Sequence, residues 1–154
     1  RLQPKKIIVV SSAPQIRYPD CYGIDMSRMK DFVAFQALVA LLKETGQEKL
    51  LTKTYKRCKA SLTQPKKKVK NEVKALYDLF PYEKVSQKIA EIVTPKEIKP
   101  EVEVIYQTLE GLHKACPNNV GDWYFSGNYP TPGGNLVANR AFMIFMDGKN
   151  ERAY

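Results

Sequence analysis

The feature that most constrains this chain is one run of four β-branched residues near its start. Residues 7–10 are Ile-Ile-Val-Val, and Ser11 and Ser12 follow them. An unbroken run of this kind is typical of a strand that is buried on both faces in a parallel sheet. A strand must pair, because its backbone donors and acceptors need partners. No second strand is as clear in this sequence. We therefore expect the partner strand to come from another copy of the chain, or from a longer protein of which this chain is the tail.

Most of the remaining chain has apolar residues at helical spacing. Ser27 and Thr94 are predicted N-caps, and Gly46 and Gly148 mark predicted helix ends. The predicted helices cover 28–44, 47–60, 67–79, 82–92, 95–114 and 137–146. The predicted apolar stripe of the fifth helix is Val102, Ile105, Tyr106, Leu109 and Leu112. We therefore predict a fold that is mainly α with a minor β part, in which a helical extension follows the end of an α/β domain.

The composition excludes several classes of protein. Apolar residues make up 44% of the chain and charged residues 27%, which is typical of a globular protein with a buried core. No apolar run approaches the length of about 20 residues that a spanning helix needs, so we expect no membrane segment. The apolar run at residues 7–10 is also too short for the core of a signal peptide.

The cysteines and the histidine indicate a reducing compartment and no structural metal site. Cys21, Cys58 and Cys116 are an odd number and stand far apart, so we expect no disulfide framework and a cytoplasmic protein. His113 is the one histidine and no Cys-x-x-Cys pair occurs, so we expect no zinc site within this chain. Because His113 stands near a predicted helix end, we expect it to contact terminal carbonyl groups.

Positive charge is concentrated between residues 48 and 74. This segment holds ten lysines and arginines and two acids, Glu48 and Glu72, in a chain of net charge +9. Such a block can bind nucleic acid or an acidic protein. Only one aromatic residue, Tyr55, lies among the charges, whereas proteins that stack on bases use several. The favoured interpretation is a solvated lysine-rich helix face, and we expect no nucleic-acid binding. A helical module that binds nucleic acid or a protein through this segment is the alternative.

The loop after the strand carries the candidate functional residues. Residues 11–14, Ser-Ser-Ala-Pro, end the strand, and the carboxyl ends of parallel strands form the edge where ligands bind. Arg17 could clamp a phosphate there, and a tyrosine such as Tyr22 could close over it. A tight loop in which Pro19 and Tyr22 only pack is an equally good interpretation of these residues.

Two motifs stand near opposite ends of the chain. Residues 12–26 are Ser-Ala-Pro-Gln-Ile-Arg-Tyr-Pro-Asp-Cys-Tyr-Gly-Ile-Asp-Met, and residues 125–131 are Phe-Ser-Gly-Asn-Tyr-Pro-Thr. The first resembles a late phosphoribosyltransferase segment of the glutamine phosphoribosylpyrophosphate amidotransferases, which carries Ser-Ala-Ala-Pro, a proline and Tyr-Gly-Ile-Asp. An acid and a helix follow in that family, as Asp31 does here. The second motif is similar to the family's Phe-Thr-Gly-Lys-Tyr-Pro-Thr. The stretch 47–115 matches no part of the family and is interpreted as an insertion.

On this resemblance we divide the chain into three parts. Residues 1–46 are the C-terminal part of a phosphoribosyltransferase-like domain, and residues 47–116 are a basic helical insertion. Residues 117–154 are a loop rich in glycine, proline and aromatic residues, with a predicted turn at 133–135, followed by the C-terminal helix. We expect a homo-oligomer, for which the insertion is a candidate interface.

The resemblance implies an enzyme with two active sites. In the family, an N-terminal cysteine releases ammonia from glutamine. The ammonia displaces pyrophosphate from phosphoribosylpyrophosphate and gives phosphoribosylamine, the first committed step of purine biosynthesis. The family's cysteine and its Asp-Asp-Ser phosphate loop, which helps to hold Mg²⁺, have no counterpart here, where residue 1 is arginine. We therefore expect the C-terminal fragment of an amidophosphoribosyltransferase, inactive by itself, with no catalytic residue and no metal ligand of its own.

The resemblance also assigns candidate site residues. It places Ser12, Arg17, Tyr22 and Asp25 at the edge of the transferase site. It places Phe32 near the ammonia path, because Phe32 occupies the family's apolar position after the acid.

Some members of the family hold an iron–sulfur cluster through cysteines. The positions in register with those cysteines are Asp20, Gly121 and Tyr124 here. Because thiolate ligation requires cysteine, we expect no iron–sulfur cluster. We expect Trp123, Tyr124 and Phe125 to fill its place with apolar packing.

Overall fold

The structure, a computed structural model, describes residues 3–20, 26–119 and 121–153. Two strands, β1 (Lys6–Ser11) and β2 (Glu101–Tyr106), pair in parallel. The α-helices are α1 (Val33–Glu44), α2 (Lys49–Ser61), α3 (Lys74–Tyr77), α4 (Tyr82–Val93), α5 (Leu109–Ala115), α6 (Trp123–Ser126) and α7 (Pro132–Met146). The predicted fold class, mainly α with a minor β part, is confirmed. No helix within the described ranges is both long and apolar enough to cross a membrane.

The predicted helix over 95–114 is wrong in its first half. Residues 101–106, Glu-Val-Glu-Val-Ile-Tyr, form β2, because valines that alternate with glutamates suit the two-residue period of a strand. In the ladder Val9 lies opposite Val104. One partner of β1 therefore lies in this chain, contrary to the expectation that its partners come from elsewhere.

Two predicted N-caps also differ from the structure. Ser27 is buried and precedes a short 3₁₀ turn, Met29–Asp31, so α1 starts only at Val33. Thr94 closes α4 instead of opening a helix, and its hydroxyl donates to the carbonyl oxygen of Ala90 at 2.6 Å. A hydroxyl side chain can bond to the backbone at either end of a helix, so local sequence alone does not choose between them.

The predicted helix over 67–79 shrinks to the single turn of α3. A 3₁₀ turn, Lys66–Lys68, comes before it. Between the two, the side chain of fully buried Asn139 donates to the carbonyl oxygen of Lys70 at 2.9 Å and accepts from the nitrogen of Glu72 at 3.0 Å. Because a side chain satisfies these backbone groups, the segment needs no helix of its own.

The core lies between α1, α2 and α7. Phe35 of α1 meets Phe142 and Phe145 of α7 edge-on, with ring centroids 6.1 and 4.8 Å apart. Leu51 and Cys58 bury one side of α2 in the same cluster. A second, smaller cluster joins α1 to α4 and so to the sheet.

β1 is not buried on both faces within the described part of the chain. Ile8 and Val10 are 54% and 70% exposed, and Ile105 of β2, on the same face, is 42% exposed. On the opposite face Val9 is also exposed, by 49%, and lines a cleft with Ile89 of α4. The apolar face formed by Ile8, Val10 and Ile105 is called the open face below.

The final helix begins earlier than predicted. α7 starts at Pro132, and Thr131 is its N-cap, whose hydroxyl accepts from the nitrogen of Gly134. The predicted turn at 133–135 is therefore the first turn of this helix. A Cβ on Gly134 would lie 2.2 Å from the ring of Tyr129, so this position requires glycine.

The substitution Gly134→Ala is expected to lower the free energy of unfolding by about 1–3 kcal/mol, because the added carbon overpacks the contact with Tyr129. Gly133→Ala is the matched control. Its Cβ would meet only the Thr131 hydroxyl, at 3.7 Å, and alanine favours a helix over glycine by up to about 1 kcal/mol. Denaturant unfolding of both variants, followed by circular dichroism, measures the difference. Equal stability of the two variants would contradict the contact.

Candidate functional site at the carboxyl edge of the sheet

The loops that follow β1 and β2 meet at one edge of the sheet, because the two strands are parallel. Ser11 ends β1, and its carbonyl oxygen accepts from the nitrogen of Gln107, just after β2, at 3.2 Å. Ser12 is exposed at this edge. Ligands of open parallel sheets bind beyond the carboxyl ends of the strands. This edge is therefore the candidate site.

Tyr82, the first residue of α4, joins the two loops. Its hydroxyl accepts from the backbone nitrogen of Gln15 at 2.8 Å and donates to the carbonyl oxygen of Gln107 at 2.9 Å. Burial raises the pKa of this hydroxyl, so it stays protonated and able to donate at neutral pH.

The side chain of Gln15 strengthens the same connection. Gln15 is only 1% exposed, and its Nε2 donates to the carbonyl oxygen of Tyr82 at 3.0 Å and to the hydroxyl of Ser86 at 2.7 Å. Neither Gln15 nor Tyr82 is among the predicted site residues. They stand 67 residues apart, and no local pattern connects them.

Arg17 turns toward the protein. Its guanidinium carbon lies 4.7 Å from the ring centroid of Tyr77 and 4.8 Å from that of Tyr82. Its Nε and Nη2 both donate to Oε1 of Gln15, at 3.0 and 2.8 Å. Two cation–π contacts and these hydrogen bonds hold the group in place. Since Nε and Nη2 are engaged inside the protein, a phosphate clamp at Arg17 remains a prediction.

The two motifs that carry the family resemblance are in contact with each other. The hydroxyl of Tyr129 donates to the carbonyl oxygen of Pro19. The carbonyl oxygen of Tyr124, just before the second motif, accepts from the backbone nitrogen of Tyr18 at 3.0 Å. Gly127 has a φ of +70°, and a Cβ there would lie 2.8 Å from the ring of Tyr18. The sequence does not predict this contact, because each motif is identified from its own residues alone.

The positions compared with cluster ligands lie beside this contact. Asp20 is fully buried, and its Oδ1 accepts from the hydroxyl of Tyr124 at 2.9 Å. Gly121 is exposed. No group of three or more metal-ligating side chains occurs in the part of the chain that the structure describes. The lack of an iron–sulfur cluster remains a prediction.

The aromatic triplet of α6 packs as a unit. The ring centroids of Trp123 and Tyr124 lie 5.5 Å apart, and those of Tyr124 and Phe125 lie 6.3 Å apart. Trp123 also packs against the main core. The triplet thus supplies apolar area next to the buried Asp20, and its replacement of a cluster remains a prediction.

Of the remaining candidate residues, Phe32 alone lies within the described ranges. Phe32 is half-buried, directly precedes α1 and packs against the main core. Tyr22 and Asp25 lie outside the described residues. Among the predicted site residues, the structure therefore places only Ser12 and Arg17 in the loop at the candidate site.

No hydrogen bond joins His113 to a helix carbonyl group among the described residues, contrary to the prediction. Its Nε2 lies 3.0 Å from Oδ2 of Asp122, and Oδ1 of Asp122 accepts from the hydroxyl of Ser126. The expectation is wrong because a carboxylate from the next segment is within reach. The contact links the end of α5 to the start of α6.

Neither described cysteine belongs to the candidate site. Cys58 lies in the core, and burial raises the pKa of its thiol to about 12, so it remains a neutral thiol at physiological pH. Cys116 is exposed and free. Cys21 lies outside the described residues.

The lysine-rich segment forms a separate surface on α2 and the turn after it. Lys49, Lys53, Lys56 and Arg57 share one side of α2, opposite the buried Leu51. We call the nine exposed cations the basic surface: Lys49, Lys53, Lys56, Arg57, Lys59, Lys66, Lys67, Lys68 and Lys70. Within the described ranges, no carboxylate lies within 4.0 Å of any of these nine cations.

No protein-family model, no curated protein and no solved structure matches this chain. A proposal about its function therefore rests on the residues and contacts described above.

The substitution Tyr124→Phe is expected to lower the free energy of unfolding by about 1–3 kcal/mol, because it removes a hydrogen bond from the buried Asp20. Tyr55→Phe is the control, since it makes the same chemical change where the hydroxyl donates to exposed Asp147. Its cost should stay below about 0.5 kcal/mol, as for most surface changes. Denaturant unfolding of both variants tests the difference, and a smaller loss in Tyr124→Phe than in the control would refute it.

Proposed function

We propose that this chain is the C-terminal part of a glutamine-dependent amidophosphoribosyltransferase. The observation that supports this most is the contact between its two family-like motifs, through Tyr18, Pro19, Gly127 and Tyr129. The contact adjoins the carboxyl edge of a parallel sheet, where substrates bind in open α/β folds. Two chance matches in a sequence would have no physical reason to lie together in the folded chain.

The proposed parent enzyme forms a carbon–nitrogen bond at C1 of the ribose. Ammonia released from glutamine attacks this carbon, and the bond between C1 and the pyrophosphate oxygen breaks. Pyrophosphate leaves with the bonding electrons, and the new amine loses one proton. The groups that release ammonia and hold Mg²⁺ belong to parts of the enzyme outside this chain. Ser12, Arg17, Tyr22 and Asp25 are proposed to line the edge of the transferase site, and Phe32 the ammonia path.

The open face supports a larger assembly. Parallel sheets are normally covered on both sides, yet Ile8, Val10 and Ile105 are exposed. A further part of the same enzyme that packs on the open face would cover these exposed side chains. We propose a cytoplasmic homo-oligomer, as the resemblance implies.

Assaying the complete enzyme from the source organism tests the proposal. It should release pyrophosphate from phosphoribosylpyrophosphate only when glutamine or ammonia is present, and this chain alone should release none. Val10→Lys in the complete enzyme should reduce activity at least about tenfold. It would bury a charge between the open face and the part of the enzyme proposed to pack on it. Leu62→Lys, at a residue that directly follows α2 and is 41% exposed, is the control. A complete protein without glutamine- or ammonia-dependent pyrophosphate release would refute the proposed function.

A second candidate function is sequence-independent binding to nucleic acid through the basic surface. The nine exposed cations favour it, because no described carboxylate neighbours them and an uncompensated positive surface attracts phosphates. Against it, Tyr55 is half-buried and bonded to Asp147, so the surface offers no aromatic platform for bases. We favour the amidotransferase and expect a solvated basic surface.

Binding assays with duplex and single-stranded oligonucleotides distinguish the two candidates. We expect no more binding than a neutral protein shows at about 0.15 M salt. The charge-reversed pair Lys53→Glu and Arg57→Glu should then behave like a control pair of equal charge change, Lys96→Glu and Lys149→Glu. Tight, salt-sensitive binding that only the first pair abolishes would establish the second candidate instead.

A further inference from the structure

Several residues of the segment 47–116, among them Tyr77, Tyr82 and Ser86, bond to the loop after β1. Tyr82 lies in this segment, which has no counterpart in the family-like motifs, yet its hydroxyl bonds to the loops after both strands. The backbone nitrogen of Gln15 would otherwise be a buried donor, and leaving such a donor without an acceptor is costly. The position of the loop after β1 therefore depends on the first turn of α4.

The side chain of Gln15 in turn fixes the position of Arg17. The amide of Gln15 is fixed by Tyr82 and Ser86 on one side and accepts both guanidinium donors on the other. The ring of Tyr82 also covers one face of that guanidinium. Arg17 is thus held by the residues that hold Gln15, and its side chain cannot turn outward without breaking these contacts.

We propose that Tyr82 and Gln15 are positioning residues, which hold the loop after β1 in the conformation that receives the phosphoribosyl donor. This inference rests on the proposed function. A loop that is already ordered loses little conformational freedom on binding, so the same contacts give tighter binding. Tyr82 and Gln15 themselves need not touch the donor. The segment 47–116 accordingly acts as a support for the site, in addition to any role in assembly.

The test uses the complete enzyme with Tyr82→Phe, which keeps the ring over Arg17 and removes only the hydroxyl. Tyr106→Phe is the matched control. Tyr106 lies nearby at the end of β2, and its hydroxyl bonds to no described residue. Amide hydrogen exchange at Gln15 measures how firmly the loop after β1 is held, and the KM for the phosphoribosyl donor measures binding.

In Tyr82→Phe we expect exchange at Gln15 to become about tenfold faster and KM to rise about 3- to 10-fold, the effect of losing one buried hydrogen bond. The kcat should stay within about twofold, since a loss of binding shared by substrate and transition state raises KM alone. Hydrolysis of glutamine, at the other active site, should be unchanged. Ser86→Ala, which removes one acceptor of Gln15, should raise KM in the same direction by a smaller factor.

Unchanged exchange at Gln15 in Tyr82→Phe would overturn the inference, as would an equal rise in KM in Tyr106→Phe. A fall in kcat with KM unchanged would overturn it as well, because it would indicate a role in the chemical step. If the wild-type enzyme transfers no phosphoribosyl group, the proposed function fails, and the substrate named in this inference fails with it. The exchange measurement still decides whether Tyr82 holds the loop in that case.

Discussion

Residues 6–11 and 101–106 pair in parallel, and the arrangement of the rest of the candidate site follows from this pairing. Parallel strands end on the same side, so the loop that starts at Ser12 and the loop that starts at Gln107 share one edge. Tyr82 can bridge the two loops only because the ladder brings them together. An antiparallel pair would have placed the two loops at opposite edges, and α4 could then not have contacted both.

A second contact at this edge joins the loop after β1 to the segment 123–131. It is built from backbone hydrogen bonds and tyrosine hydroxyls, and a glycine at Gly127 permits close approach to Tyr18. Such contacts specify position well, because buried polar groups must find partners of the right geometry. The loop is consequently held from two directions, by α4 on one side and by α6 with the residues after it on the other. Both supports come from parts of the chain remote in sequence from the loop itself.

Elements with a strong local signal were predictable from the sequence. β1, α2 and α4 appear close to their predicted bounds, because β-branched runs and amphipathic spacing act within a few residues. The sequence predicts helix where β2 lies, since Val102, Ile105 and Leu109 also fit a helical stripe. Only pairing with β1 decides between helix and strand. The backbone conformation of residues 67–79 depends on hydrogen bonds from Asn139, which lies far along the chain. The position of Ser12 and Arg17 at the sheet edge could be predicted, because both closely follow a strand in the sequence. The contact between Gln15 and Tyr82 could not, because its two residues are remote in sequence.

The long separation between the two strands also determines when the sheet can form. β1 is synthesised first, and it must wait for residue 101 before its partner exists. Closing so long a loop costs more entropy than forming local helices, so the ladder belongs to the late steps of folding. Until then Ile8 and Val10 form part of an unpaired apolar strand, the kind of segment that associates with other chains. A ribosome that stalls between the two strands would therefore release a product prone to aggregation, even though most of its helices had already been made.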